Sequence, residues 1–166
     1  MITHGAVEEP NPYVITGIAG RLGFSVISVE KAMMNGEVGF GRKVLQAVEE
    51  FGLSFEHMPT GIDTMCVVLS TAELEPVKEQ LTRRIWETTN PDTLTIHDNM
   101  GIIATVGRGM VHNPGTAARL FTALSRYHIN VRMIDQGSSE LSILVGVDSG
   151  EFQQAILAIY DEFVSE

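Results

Sequence analysis

The sequence predicts an α+β protein built from two ferredoxin-like βαββαβ units, each an antiparallel sheet carrying its helices on one face. Three observations predict it. The chain repeats itself at an offset of 76 positions, so that Gly39 falls on Gly115, Gly61 on Gly137, Met34 on Met110 and Ala47 on Ala123. Both copies place strand-like alternation and helical spacing in the same order. Of the 166 residues 44% are apolar and only 19% charged, which supplies extensive buried strand and argues against disorder.

In the first copy, residues 24–31 alternate as a strand, with Phe24, Val26, Ile27 and Val29 apolar. A loop with two glycines, Gly36 and Gly39, leads into a helix over 40–51, whose buried face is Val44, Leu45 and Val48. Gly52 ends that helix by supplying a left-handed residue. Strands follow at 54–58 and 63–70 around the turn Pro59-Thr60-Gly61. A helix over 74–86, with Pro76 in its first turn, and a strand at 93–97 close the unit.

The second copy predicts a strand at 101–106, a helix over 114–127 with Asn113 as N-cap and Pro114 at the first helical position, strands at 130–135 and 140–147, and a helix over 151–163. It then stops one strand short. Residues 13–19 (YVITGIA) have strand character and no partner of their own, so they are expected to supply that strand. The expected units are residues 24–98 and residues 99–166 completed by 13–19.

Net charge is −10, which disfavours nucleic acid and anionic membrane surfaces as partners. No run approaches the ~20 apolar residues of a membrane span. The start, Met1-Ile2-Thr3-His4-Gly5, lacks the basic flank and apolar stretch of a signal peptide, so a cytoplasmic protein is expected. Cys66, in the run Met65-Cys66-Val67-Val68-Leu69, reads as a small core hydrophobe.

Catalytic chemistry is hard to find. There is no phosphate-loop motif and no dinucleotide fingerprint, and the five histidines show no metal-ligand spacing, so no catalytic and no metal residue is assigned. Ser138-Ser139-Glu140 reads as a polar turn, and Gly107-Arg108-Gly109 as a flexible loop more than an anion nest. The rival reading is a small ferredoxin-like enzyme using His57 or Asp135.

Binding chemistry is easier to place. Each copy opens its first helix on glycine: Gly39-Phe40-Gly41 in one, Gly115-Thr116 in the other. Helix starts present unpaired N–H groups and partial positive charge, and glycine lets a ligand approach the backbone. Glu56 with Asp63, or Asn130 with Asp135, are expected beside those starts as acceptors for an ammonium group. The two charges suit a free α-amino acid. Against this stands the reading in which the glycines only permit a tight loop and the acids are solvated.

The runs Ile15-Thr16-Gly17-Ile18-Ala19-Gly20-Arg21, Glu30-Lys31-Ala32-Met33-Met34-Asn35, Glu37-Val38-Gly39-Phe40-Gly41-Arg42 and Ser54 through Thr64 resemble the regulatory half of aspartokinase. So do Ala104 through Met110, Gly115-Thr116-Ala117-Ala118 and Arg132 through Leu141. The resemblance covers nearly all of the chain after about residue 13; such tandem units are called ACT domains. It implies a parent enzyme that phosphorylates the side-chain carboxylate of aspartate, with ATP and magnesium confined to a kinase domain outside these residues and no cofactor here. It implies as partners the kinase domain, a second copy paired through the ACT units, and an end-product amino acid bound between units to inhibit the kinase.

Carried over by position, the effector region includes Met34, Glu37, Gly39, Phe40, Gly41, Ser54, Phe55, Glu56, Thr60, Gly61, Ile62 and Asp63. The matching places in the second unit are Gly115, Asn130, Val131 and Gln136. Lysine is the first choice of effector, because Glu37, Glu56 and Asp63 offer anionic partners to its side-chain ammonium. Lysine-responsive members often carry Ser-Glu where this sequence has Gly61-Ile62. Threonine, joint lysine-plus-threonine sensing, and a standalone amino-acid-binding adaptor remain as alternatives.

Overall fold

Two strands of 14 residues organise the chain: β1 (Gly17–Glu30) and β4 (Thr93–Val106). The computed structural model describes residues 14–164, and these divide by contact into a unit of residues 21–102 and a unit of residues 14–20 with 103–164. Each long strand therefore contributes one end to each unit. The sequence suggested breaks at 20–23 and 98–100; the strands run through both. Gly20 is the clearest reason. A side chain there would strike Phe152 and Ile156, so its glycine serves close packing and not a turn.

In the unit of residues 21–102 the sheet order is β2-β3-β1-β4, with β2 at Phe55–His57 and β3 at Thr64–Ser70. β1 and β3 pair antiparallel from Phe24 opposite Ser70 to Glu30 opposite Thr64. Helix α1 (Phe40–Glu50) buries Phe40, Val44, Ala47 and Val48 against Ile27, Val29, Met65, Val67 and Leu69. Each of these side chains larger than alanine contributes about 1.5–3 kcal/mol when taken from water. Gly52 has φ +68°, and the Leu53 N–H returns to the Val48 carbonyl at 3.2 Å, a left-handed stop.

The second helix differs from its expected single span. A turn of helix, α2 (Thr71–Leu74), passes through a 3-10 turn at Glu75–Val77 before α3 (Lys78–Thr89) begins. Pro76, which lacks an N–H, sits in that tighter turn.

The other unit has the order β5-β6-β4-β1, with β5 at Met133–Asp135 and β6 at Ser142–Asp148, under helices α4 (Thr116–Arg126) and α5 (Phe152–Val164). The Thr16 N–H donates to the Val106 carbonyl at 2.7 Å, and Ile15 packs with Ile103, Leu120, Leu124 and Ile159. Tyr13, the first residue of the strand-like segment, lies outside the described residues. His128 occupies the left-handed position at the end of α4 that Gly52 holds after α1, with φ +56°.

Two expectations are corrected. The N-cap of α4 is Gly115, at φ +93°; Asn113 instead donates its side-chain N–H to the Gly109 carbonyl at 2.7 Å, closing the 3-10 turn Arg108–His112. Cys66 is half-buried. It alternates with the inward Met65 and Val67, and burial pushes its thiol up from the usual range. Among the described residues no helix is long and apolar enough to cross a membrane.

Candidate functional site at the first helix start

Helix α1 opens on Gly39, at φ +82°, and no side chain caps it. A left-handed N-cap suits glycine; the Phe40 N–H donates to the Glu37 carbonyl at 3.3 Å, and the following first-turn amides point outward from the helix end. The loop before it is pinned backbone to backbone. Lys31 N–H donates to the Asp63 carbonyl at 2.9 Å, and Asn35 N–H to the Ile62 carbonyl at 3.2 Å. Met33, itself left-handed at φ +59°, donates its N–H to Asp63 Oδ1 at 2.8 Å. The turn carrying Asp63 is held in place by Gly61 N–H on the Thr64 carbonyl and by the Thr60–Met65 bridge.

A charged clamp lies in this loop. Glu37 Oε2 is 2.6 Å from Lys31 Nζ, and Glu37 Oε1 is 2.6 Å from Lys43 Nζ. Lys31 Nζ also donates to the Thr89 carbonyl at 2.8 Å and lies 5.7 Å from the centre of the Phe40 ring. The hydrogen bonds from Lys31 and then Lys43 hold the Glu37 carboxyl below the usual carboxylate range. Within the clamp two cations face one anion, and that local excess beside a helix start favours a ligand carboxylate.

Of the residues singled out in the sequence, Met34, Glu37, Gly39, Phe40, Gly41, Thr60, Gly61, Ile62 and Asp63 share this end of the unit. Met34 and Phe40 are core residues, while Gly39 and Gly41 are half-buried and Thr60 through Asp63 exposed. Ser54, Phe55 and Glu56 lie elsewhere. Phe55 pairs with Leu69, five residues along β3 from Thr64, and at ~3.3 Å per residue that is about 17 Å away. Glu56 is bound there by Arg21 at 2.5 Å. The expectation that Glu56 stands beside the helix start is corrected: β2 begins where α1 ends, not where it starts.

The other unit repeats the backbone of the site without the Lys31–Glu37–Lys43 clamp. Gly115 opens α4 with no side-chain cap, and Gln136 follows β5 at the end where Asp135 pairs with Leu144. Asn130 and Val131 precede β5, beyond the pairing of Met133 with Gly146, and so lie at the opposite end. Lys31, Glu37 and Lys43 correspond here to Gly107, Asn113 and Arg119, and Arg119 is taken by Glu162 at 2.9 Å.

Sequence reasoning missed Lys31 and Lys43. It sought anions for a ligand ammonium and did not ask which cations flank Gly39. The signal was present: Lys43 stands one turn into a helix that begins on glycine. Among the described residues no group of three or more His, Cys, Asp or Glu is placed to hold a metal ion.

Residues 103–163 match the family profile described as ACT domain. The chain is 42% identical over 150 residues to Aspartokinase 3 of Bacillus subtilis (strain 168), a match covering 90% of this chain and 33% of that protein. It thus spans about a third of that relative's length. The crystal structure of Clostridium acetobutylicum aspartate kinase superposes with a TM-score of 0.87 at 45% identity, over 97% of this chain and 36% of the other. The regulatory subunit of aspartate kinase from Thermus flavus superposes with a TM-score of 0.75 at 19% identity, over 90% of this chain and 98% of that one, a likeness of fold.

Proposed function

The chain belongs to the C-terminal ACT-domain regions of the aspartokinase family, and from that premise we propose that it senses an end-product amino acid on behalf of an aspartate kinase. The observation that carries this is the α1 start: a glycine-opened helix end without a side-chain cap, flanked by Lys31 and Lys43, with Asp63 across the loop. The ligand carboxylate is assigned to the helix end and the lysines, and its α-ammonium to the exposed Asp63 carboxylate. The proposed site comprises Met34, Glu37, Gly39, Phe40, Gly41 and residues 60–63, with Gly115 and Gln136 as the corresponding place in the other unit. Ser54, Phe55, Glu56, Asn130 and Val131 fall outside it.

Lysine stays the first choice of effector. The case is narrower than three acids would make it, because Glu37 is engaged by two lysines and Glu56 is remote. Threonine, whose hydroxyl matches Thr60 or Gln136, and the two together are the alternatives. Regulation works by population shift: an effector changes kinase output only through unequal affinity for the active and inhibited arrangements. Coupling of about 1–3 kcal/mol gives roughly 5- to 150-fold effects. The kinase reaction, with its ATP and magnesium, is assigned to a kinase domain outside these residues. Pairing with a second copy through the ACT units, and a cytoplasmic setting, are part of the same proposal.

Calorimetric titration with lysine, with threonine and with both tests this reading. Saturable binding that weakens roughly tenfold or more in Asp63→Asn supports it, by the loss of a charge-assisted bond. Absence of binding by any of the three titrants contradicts it.

A further inference from the structure

We propose that Glu37 is a tethered competitor for the effector's carboxylate: it holds Lys31 and Lys43, and an α-amino acid binds by taking over those two ammonium groups and releasing it. This rests on the amino-acid-sensing reading and adds a device to the same site. The geometry is that of an anion site filled by the chain itself. Both carboxylate oxygens are used, each 2.6 Å from a different lysine. The side chain retains 27% of its exposure, so solvent and small solutes reach the clamp. The residue is also anchored in the loop that feeds the helix, since its carbonyl accepts the Phe40 N–H at 3.3 Å. Lys43 stands in the first turn of α1, one helical turn from Gly39.

Exchange of one carboxylate for another conserves the charge-assisted bonds, so the balance turns on tethering. A carboxylate fixed in the same loop is present at high effective concentration and disfavours a free one. A binder whose competent state is a minority has its apparent affinity reduced by that fraction. Displacement also has somewhere to go. Lys31 Nζ holds the last turn of α3 through the Thr89 carbonyl, and its backbone N–H holds the Asp63 carbonyl. Re-aiming the Lys31 ammonium onto a ligand disturbs the Thr89 contact, which links ligand occupancy to α3.

The test is calorimetry and thermal shift on the wild-type chain and on Glu37→Gln, titrated with lysine, threonine, acetate and lysinamide. The expected result is that the variant binds acetate and the amino acid roughly tenfold or more tightly than wild type, by removal of the competitor. Lysinamide, which lacks the carboxylate, gains nothing. Glu37→Asp, too short to span both lysines, shows a smaller gain and guards against a folding artefact in the first variant. Amino-acid and acetate affinity unchanged or weakened in Glu37→Gln, with wild-type affinity for lysine intact, overturns the competitor and leaves the sensing reading standing. A gain for acetate with no binding of lysine or threonine by either protein removes the sensing reading and the amino acid as displacer, and retains only the clamp.

Discussion

The two helix starts of this chain share a backbone and differ in nearly everything else. Gly39 and Gly115 have almost the same φ, +82° and +93°, and neither helix has a side-chain cap. Around Gly39 the core supplies Val29 and Phe40 and the surface supplies the Lys31–Glu37–Lys43 clamp. Around Gly115 the equivalent positions are Thr105 and Thr116, then Gly107, Asn113 and Arg119. Gly107 has no room for a side chain against the Val14 carbonyl and the Ile15 backbone, and Arg119 is committed to α5. Duplication preserved the frame that presents helix amides. It did not preserve the charges that would select a ligand, so similarity of fold between the units does not make them equivalent sites.

The largest expected effect follows from the core positions. Phe40→Ala should cost about 3–5 kcal/mol by the loss of a buried aromatic ring. At the equivalent place, Thr116→Ala should cost about 1 kcal/mol, the worth of its hydroxyl bond to the Asn113 carbonyl. Urea denaturation of both variants measures this. Equal losses would mean that the two helix starts are packed alike, against the comparison drawn above.

A smaller effect, of opposite sign, is expected at Thr105. Its hydroxyl is fully buried and, among the described residues, without a hydrogen-bond partner. Thr105→Val installs the residue found at the matching Val29 and removes an unsatisfied polar atom, a stabilisation of about 1–3 kcal/mol. A lower unfolding midpoint for this variant would indicate that the hydroxyl has a use.

The smallest effect concerns acid. The folded Glu37 carboxyl titrates below its unfolded value, so its stabilisation is complete above the ordinary carboxylate range and disappears as pH falls through the depressed value. The difference in melting temperature between wild type and Glu37→Gln should therefore be present at neutral pH and vanish in strong acid. A difference independent of pH would show that the clamp contributes shape and not charge.

Helix α1 and its glycines were legible in the sequence because local chemistry decides them. Val44, Leu45 and Val48 set the face of α1, and Gly52 its end, within a residue of the observed span. The continuity of β1 and β4 was not legible. A glycine such as Gly20 reads as a break in a single sequence, and only the ring of Phe152 pressed against it reveals why it stays in a strand. The cap of α4 was misread for a related reason: Asn113 and Pro114 have the right local chemistry, but the 3-10 turn before them consumes the asparagine. Nearness along the chain put Glu56 beside the helix start, whereas β2 lies at the far end of the helix that precedes it. The lysine clamp was missed because two ion pairs, each spanning six residues through an irregular loop, have no periodic signature.

The central claim is that the first helix start, and not the second, receives a free amino acid. Backbone amide NMR of the chain titrated with lysine, and separately with threonine, tests it most directly. The account predicts saturable shifts at Gly39, Gly41 and Arg42 with one of the two, spreading to Asp63. Shifts confined to Gly115, Ala117 and Ala118, or no shift with either amino acid, would contradict it.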